Sequence, residues 1–408
     1  MGDGAPCIDD AEVLLIGGGI AAMWTLARLR GLGFRAALIE PARLGQGQTL
    51  ASQGIIHGGL KYTLSGLFNQ RAAAVAAMPS RWRAALHGHP EEGDPNLHGA
   101  RVLSPHCLLW RSRGIAGALG MIGARAGLET TPVLLTESEI PPLLHSATGG
   151  VYRVDEPVVN PASVLESLRN AHLEAMLTAD GIGALEWDGQ QMRVRTPSGE
   201  CIRFNRPKQV IVAAGAASEG VLRQLGVAPP RSSHFVRRAL HMGLVRAKSH
   251  RDSLPPFFGH NVDGKETRVT ITSGSDTQSR CVWQVGGRLA EDGVAMESKE
   301  FHARLRRELR EVLPLLDQDA LEFSSYRVDR MEFAMAARQE EAALLRLDSH
   351  IIAALPLKLA LAPLLAQRIE SDLRAVGVHP TLPSEYTRSG ATAPSLGAFP
   401  WEACTWTS

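Results

Sequence analysis

Val13 to Ile16, "VLLI", is an unbroken apolar run, and three glycines follow it at once in "GGGIAA". Strands covered by helices on both faces read this way, so a parallel strand is predicted here. Met23 to Leu32 then reads as a helix ended by Gly31 and Gly33, and "RAALIE" as a second short strand closing on Glu40. An apolar strand running into small residues returns at Gln209 to Ser218, "QVIVAAGAAS". Pro157 and Pro161 mark a turn ahead of an amphipathic helix that starts near Ala162.

Three further runs, "RALHMGLV", "TRVTITS" and "CVWQVGG", predict an antiparallel sheet. "ESKEFHARLRRELREVLPLL" predicts a charged amphipathic helix ending at Pro314, whose Arg and Glu residues form a solvated face with i,i+4 pairs. The apolar run from Ile351 to Ala366 contains Lys358 and two prolines and falls short of the roughly 20 residues that span a bilayer, so it predicts a buried helix, with a peripheral membrane contact as the lesser alternative. Beyond about Val376 the periodicity is lost among Pro, Ser, Thr and Gly, which predicts a tail. Trp401 and Trp406 within it leave two readings open, docking onto the chain or a protein partner, and simple disorder.

At 408 residues the chain exceeds what one core normally supports and predicts two domains. Lys plus Arg (43) nearly cancels Asp plus Glu (42), leaving no net field for a polyanion, so no nucleic-acid partner is expected. Cys7, Cys107, Cys201, Cys281 and Cys404 are too scattered for a paired metal or redox spacing; no metal is expected, and a reducing cytoplasm fits. The acidic amino terminus lacks the features of a signal peptide.

Gly17, Gly19 and Ala22 supply a G-x-G-x-x-A spacing between the first strand and its helix, with Ile20 and Ala21 at the helix start. There the first glycine makes the tight turn, the second admits a pyrophosphate against backbone, and the small third residue lets helix and strand pack closely. Glu40 can accept hydrogen bonds from an adenosine ribose and would repel a 2′-phosphate, so FAD or NAD is favoured over NADP. Without a nucleotide, the glycines would be packing turns and Glu40 a solvated strand end.

Four stretches together give a resemblance to the D-amino-acid oxidase superfamily of FAD-dependent oxidoreductases, in the branch around flavin-linked glycerol-3-phosphate and 2-hydroxyacid dehydrogenases. They are "LLIGGGIAAMWTLARLRGLGFRAALIE", "SQGIIHGGLKY", "VIVAAGAAS" and "VWQVGGRLAEDGV". The resemblance implies an α/β protein with a Rossmann-like FAD-binding domain and a discontinuous α+β substrate domain built on an antiparallel sheet. The FAD-binding domain is expected from 1–80, 155–225 and 326–376, the substrate domain from 81–154 and 226–325, and the tail from 377–408. It further implies FAD contacts at Gly17, Gly19, Ile20, Ala21, Ala22, Glu40, Pro41, Gln48, Thr49, Ser52, Gln53, Gly54, His57, Gly58, Ala214, Gly215, Lys358 and Leu359. Two departures stand out: "AALPLKLALAPLLAQRI" replaces a late glycine-rich turn, and Lys61 stands where the glycerol-phosphate relatives tend to carry Arg.

Gly58 and Gly59 fit a loop against which a flat ring can lie, since no Cβ intrudes. His57 beside them has three readings: a substrate-facing acid/base, a hydrogen-bond partner or attachment point for the flavin, and a structural histidine. Lys358 has two, a cation facing the N1 and C2 carbonyl edge of the flavin or a surface residue on a packing helix. For an anionic substrate the candidates are Arg330, with Tyr326 and Arg238 behind it, taken from runs that also offer Arg327, Arg237 and His241. The expected activity is removal of hydride from a CH–OH or CH–NH carbon of a small anionic substrate, with electrons passed to oxygen, a quinone or a partner protein. The rival readings are an NAD-binding dehydrogenase and a flavoprotein subunit without catalysis of its own.

Overall fold

The computed structural model describes residues 11–58, 74–111, 132–228, 233–249, 254–263, 266–335, 342–356, 358–381 and 392–407. Cys7, Gly59, Lys61 and Tyr62 lie outside them. Val13–Ile16 is fully buried and pairs in parallel with Ala36–Glu40 on one side and Gln209–Val212 on the other. Among the described residues this sheet has six strands in the order Ala342–Arg346, Ile351–Pro356, Gln209–Val212, Val13–Ile16, Ala36–Glu40, Met176–Thr178, with all but the first strand parallel. Helix Ile20–Gly31 starts three residues earlier than its pattern suggested, because Gly19 is already the extended N-cap.

The run from Ile351 to Ala366 corrects the sequence reading. It is a strand, Ile351–Pro356, then a 3₁₀ turn, Leu359–Leu361, and only then a helix, Ala362–Ala375, with Pro363 in its first turn. A uniformly apolar run carries no period, so strand and helix look alike in it. Here the β-branched pair Ile351 and Ile352 takes the strand, registering with Val210 and Ile211.

On one face of this sheet a core gathers Trp24, Trp82, Leu165, Leu365 and Ile369 from helices Ile20–Gly31, Met78–Leu86, Pro161–Ala171 and Ala362–Ala375. Within it Asp94 is wholly buried and accepts from Trp24 Nε1 at 3.2 Å, Arg28 at 3.0 Å and both arms of Arg81. The opposite face is covered by the three-stranded sheet of Leu185–Trp187, Gln191–Arg195 and Cys201–Asn205 together with helix Ser218–Gln224.

An eight-stranded sheet stands beside it, in the order Leu321–Met335, Ser233–Ala247, Cys281–Gly286, Glu266–Ser275, Gly259–Asp263, Cys107–Trp110, Val151–Val154, Val133–Leu134. Its pairings are antiparallel except Gly259–Asp263 with Cys107–Trp110. The two long strands Ser233–Ala247 and Leu321–Met335 pair along their whole length, so the latter continues without a break through positions 325 and 326. Helix Ser298–Val312 closes this sheet with Phe301, Leu305 and Leu309; Lys299, Glu300, Arg307, Arg310 and Glu311 are exposed, whereas Glu308 pairs back to Arg268 on the sheet at 2.6 Å and Arg306 lies over the Phe323 ring.

The described part of the tail docks onto the chain. Thr178 bonds the Thr392 carbonyl, and Leu44 bridges Leu396. Trp401 is buried, stacked on Phe399 at 4.4 Å, and donates Nε1–H to the Ser275 carbonyl at 3.2 Å. Trp406 lies under the Arg246 guanidinium at 4.0 Å. Both aromatic rings therefore find apolar or cationic cover, and the segment ties the two sheets together. Among the described residues no helix is long and apolar enough to cross a membrane.

Candidate active site

Where the parallel strands end, the chain opens into a cavity of about 640 Å³, which adjoins a second of about 230 Å³. Gln48, Ser52, Val328, Lys358 and Leu359 line both. The position is the crevice outside the carboxyl ends of an open parallel sheet, where ligands of such folds bind.

The larger cavity begins at the glycine turn. Gly17 holds φ at +123°, and a Cβ there would stand 2.6 Å from the Ala213 carbonyl, so only glycine lets these two strand ends meet. Helix Ile20–Gly31 carries no acidic residue in its first turn and no cap from Gly19. Thr49 Oγ1 takes the Ile20 N–H at 3.1 Å, and the other first-turn amides lack intrahelical partners, as an anionic pyrophosphate requires. Glu40 closes the far end, its carboxylate accepting the Ala42 N–H at 2.6 Å. Burial pushes Glu40 up to about 7. That energetic penalty on the anion is what two ribose hydroxyl donors would relieve.

Of the expected FAD contacts, Gly17, Gly19, Ile20, Ala21, Glu40, Pro41, Gln48, Thr49, Ser52, Ala214, Gly215, Lys358 and Leu359 line this larger cavity. Ala22 does not; it is buried in the helix core, as a close-packing position must be. Gln53, Gly54 and His57 line the smaller cavity with Gln48 and Ser52. Gln53 also fastens the loop, its amide donating to the Thr270 and Gln284 carbonyls at 3.0 and 3.1 Å. The backbone demand for glycine in this loop is plainest at Gly54, where φ is +70° and a Cβ would come within 2.1 Å of the Val159 carbonyl. Gly58 lines neither cavity; its N–H donates to Glu156 at 2.7 Å.

Lys358 stands at the N-cap of the turn Leu359–Leu361, and Trp82 Nε1 anchors that turn through the Ala360 carbonyl at 2.9 Å. Its side chain is half-buried, and Lys358 lines both cavities. Arg330 lines the smaller cavity. Two of the expected substrate residues do not reach either cavity. Tyr326 has its hydroxyl engaged, donating to the Ala51 carbonyl at 2.9 Å and accepting from Gln284 at 2.9 Å, and burial pushes its phenol up. Arg238 is exposed and pairs with Glu332 at 3.6 Å. Alternation along Leu321–Met335 divides the strand between the cavities: Val328 and Arg330 face the smaller cavity, whereas Arg327, Asp329 and Met331 face the larger alone; Tyr326, of the same parity as Arg330, is held away by its bonds to Ala51 and Gln284.

Arg238 lies directly across the ladder from Arg330, and Glu332 serves both, at 3.6 and 3.1 Å. The charged residues lining the smaller cavity are Arg330, Lys358 and Glu291, two cations to one carboxylate.

Sequence reasoning did not find Glu156. Its side chain is wholly buried, accepting the Gly58 N–H through one oxygen and facing His57 Nδ1 at 3.2 Å through the other. His260 Nε2 stands 3.8 Å from that second oxygen, and its Nδ1 bonds Thr270 Oγ1 at 3.0 Å. The ligand atoms of His57, Glu156 and His260 all lie within 4.8 Å of one another, a grouping that scattered cysteines could not signal.

FAD binding to the apoprotein should be linked to Glu40. Ribose hydroxyls favour the ionised carboxylate, so below its folded value of about 7 binding expels a proton, and affinity rises with pH until that value is passed. Titration calorimetry near about pH 6, in two buffers of different ionisation enthalpy, measures the proton count. Zero protons released would mean that the ribose does not meet Glu40.

The residues present thus fit an extended dinucleotide, and comparison with known proteins agrees. The chain is 35% identical over 377 residues to a probable FAD-dependent oxidoreductase, PA4991, of Pseudomonas aeruginosa, covering 91% of this chain and 92% of the relative. The crystal structure of that protein superposes with a TM-score of 0.78 at 31% identity over 97% of this chain and 98% of the other. At the level of fold alone, the chain matches L-alpha-glycerophosphate oxidase from Mycoplasma pneumoniae with FAD bound (TM-score 0.62, 14% identity, 90% and 95% of the two chains). Glycine oxidase from Geobacillus kaustophilus matches similarly (TM-score 0.60, 14% identity, 92% and 100%). With residues 12–344 also matching the family model for DAO, the FAD-dependent oxidoreductases, the chain belongs to that family and is an FAD-dependent oxidoreductase.

Proposed function

We propose that this enzyme oxidises a CH–OH or CH–NH carbon of a small anionic substrate held in the smaller cavity. The observation that carries the reading is the meeting of an imidazole, His57, with two cationic side chains, Arg330 and Lys358, at the mouth of the cofactor cavity. Bound FAD supplies the hydride acceptor, at N5. Arg330 holds the substrate's anionic group, with Lys358 as the second cation of the same cavity. His57 takes the O–H or N–H proton as the carbon's C–H pair departs, so the C=O or C=N bond forms and charge balances. Lys358 offers positive charge to both cavities, where negative charge develops on the cofactor side. The electrons then pass to oxygen, a quinone or a partner protein.

Relatives of the same fold act on both kinds of carbon in name, a glycerophosphate oxidase and a glycine oxidase, which sets the screen. Loaded enzyme is mixed anaerobically with 2-hydroxy acids, amino acids and phosphorylated polyols, and loss of the visible flavin absorbance is followed. At least one class should bleach the flavin within the mixing experiment. A yellow, folded protein that no such compound bleaches would instead be an electron-relay or structural flavoprotein subunit.

A further inference from the structure

We propose that Glu156 is the positioning residue that fixes His57 as its Nδ1–H tautomer and so leaves the Nε2 lone pair for the smaller cavity; this rests on the reading of His57 as the base. The geometry is one-directional. Glu156 is wholly buried, and an ionised carboxylate at that depth needs donors on both oxygens. Gly58 N–H meets one at 2.7 Å, and His57 Nδ1, at 3.2 Å, is the group that meets the other. His260 is 3.8 Å away, too far for a hydrogen bond, and its Nε2 is buried with no hydrogen-bond partner among the described residues. With the Nδ1 proton committed to Glu156, the ring's remaining nitrogen belongs to the cavity that His57 lines.

Charge makes the same assignment. Burial raises the Glu156 carboxyl, but the charge and hydrogen bond of His57, the His260 imidazole and the Gly58 N–H outweigh it and hold it below the usual range. Burial pushes His260 down to about 4, so that ring stays neutral. Burial and the Glu156 charge raise the Cys107 thiol, which stays protonated. Among these neighbours His57 alone can become the cation that a buried carboxylate prefers. Across the cavity it faces Arg330, Lys358 and Glu291. A proton arriving on Nε2 from the substrate therefore creates an imidazolium already paired with Glu156.

Glu156→Gln tests this with little change of shape. Its oxygen must stay with the Gly58 N–H, which turns the amide NH₂ toward His57 and demands an acceptor at Nδ1. The ring proton then moves to Nε2 and blocks the base. Nitrogen-15 NMR of histidine-labelled protein, with the His57 signal identified by its loss in His57→Ala, should show the Nδ1–H tautomer in the unaltered protein and Nε2–H in the variant. Flavin reduction should fall by about 10- to 100-fold, while FAD content is retained. Glu156→Asp, which keeps the acceptors, should recover part of the rate. An Nε2–H tautomer in the unaltered protein would overturn the proposal, and that measurement stands even if the variant does not fold. An unchanged tautomer and rate in Glu156→Gln would overturn it as well. Should the tautomer switch as expected while His57→Ala reduces its flavin at the normal rate, the positioning role stands and the base reading fails.

Discussion

Flavin reduction by substrate in His57→Ala is expected to be slower than in the unaltered enzyme by a factor of about 100 or more, with FAD still bound. A general base contributes about 10²- to 10⁴-fold, and no other imidazole reaches the smaller cavity among the described residues. The three roles open to His57 separate in this one variant. If the ring bonds or carries the flavin, the variant loses FAD or shifts its absorbance. If the ring is structural, stability falls and the rate per folded, loaded molecule does not. The side chain is 36% exposed, so truncating it removes little packing, but it strips one donor from the buried Glu156. That orphaned acceptor should cost about 1–3 kcal/mol of stability, measurable by denaturant titration beside the kinetics. Anaerobic stopped-flow reduction gives the rate, and an unchanged rate removes His57 from proton transfer.

How much of this was legible from sequence follows from how far apart the cooperating residues lie along the chain. The glycine turn was readable because Val13, Gly17, Ile20 and Glu40 act within one strand–helix–strand unit, and each leaves a local mark. The long antiparallel ladder left its alternation in "RALHMGLV" and "CVWQVGG". The run from Ile351 misled, since uniform apolarity hides the boundary at Pro356. Substrate residues were harder still. Arg330 and Tyr326 share one strand and one parity of side chain, yet Tyr326 reaches back to Ala51 and Gln284 and leaves the cavity to Arg330. Glu156 was out of reach: its partners Gly58 and His57 come from a loop about a hundred residues earlier, and nothing in "VDEPVVN" announces the pairing.

Asp94→Ala is expected to destabilise the protein by about 3–5 kcal/mol, the loss seen when one partner of a buried ion cluster is removed. Asp94 has no exposed side-chain surface, and Arg28 and Arg81 are nearly as enclosed. Truncation leaves the Trp24 N–H without its acceptor and two guanidiniums with a single buried counter-charge between them, Glu370 on Arg28 at 2.7 Å. Among the described residues Arg81 keeps Gln367 at 2.9 Å and the exposed Glu91 at 3.4 Å. The consequence extends to the cofactor. Arg28 belongs to the helix whose amino end meets the pyrophosphate site, and Glu370 and Gln367 belong to the helix that follows Lys358. Asp94 thus braces, from behind, the helix whose first residues Ile20 and Ala21 line the larger cavity and, through Glu370 and Gln367, the helix that follows Lys358, and the variant should lose FAD more readily than the unaltered enzyme on dilution. Asp94→Asn keeps the volume and one acceptor and should fall between the two. Urea unfolding with and without added FAD reads both effects; a loss below about 1 kcal/mol would mean that Glu370 and Gln367 alone suffice for the two arginines.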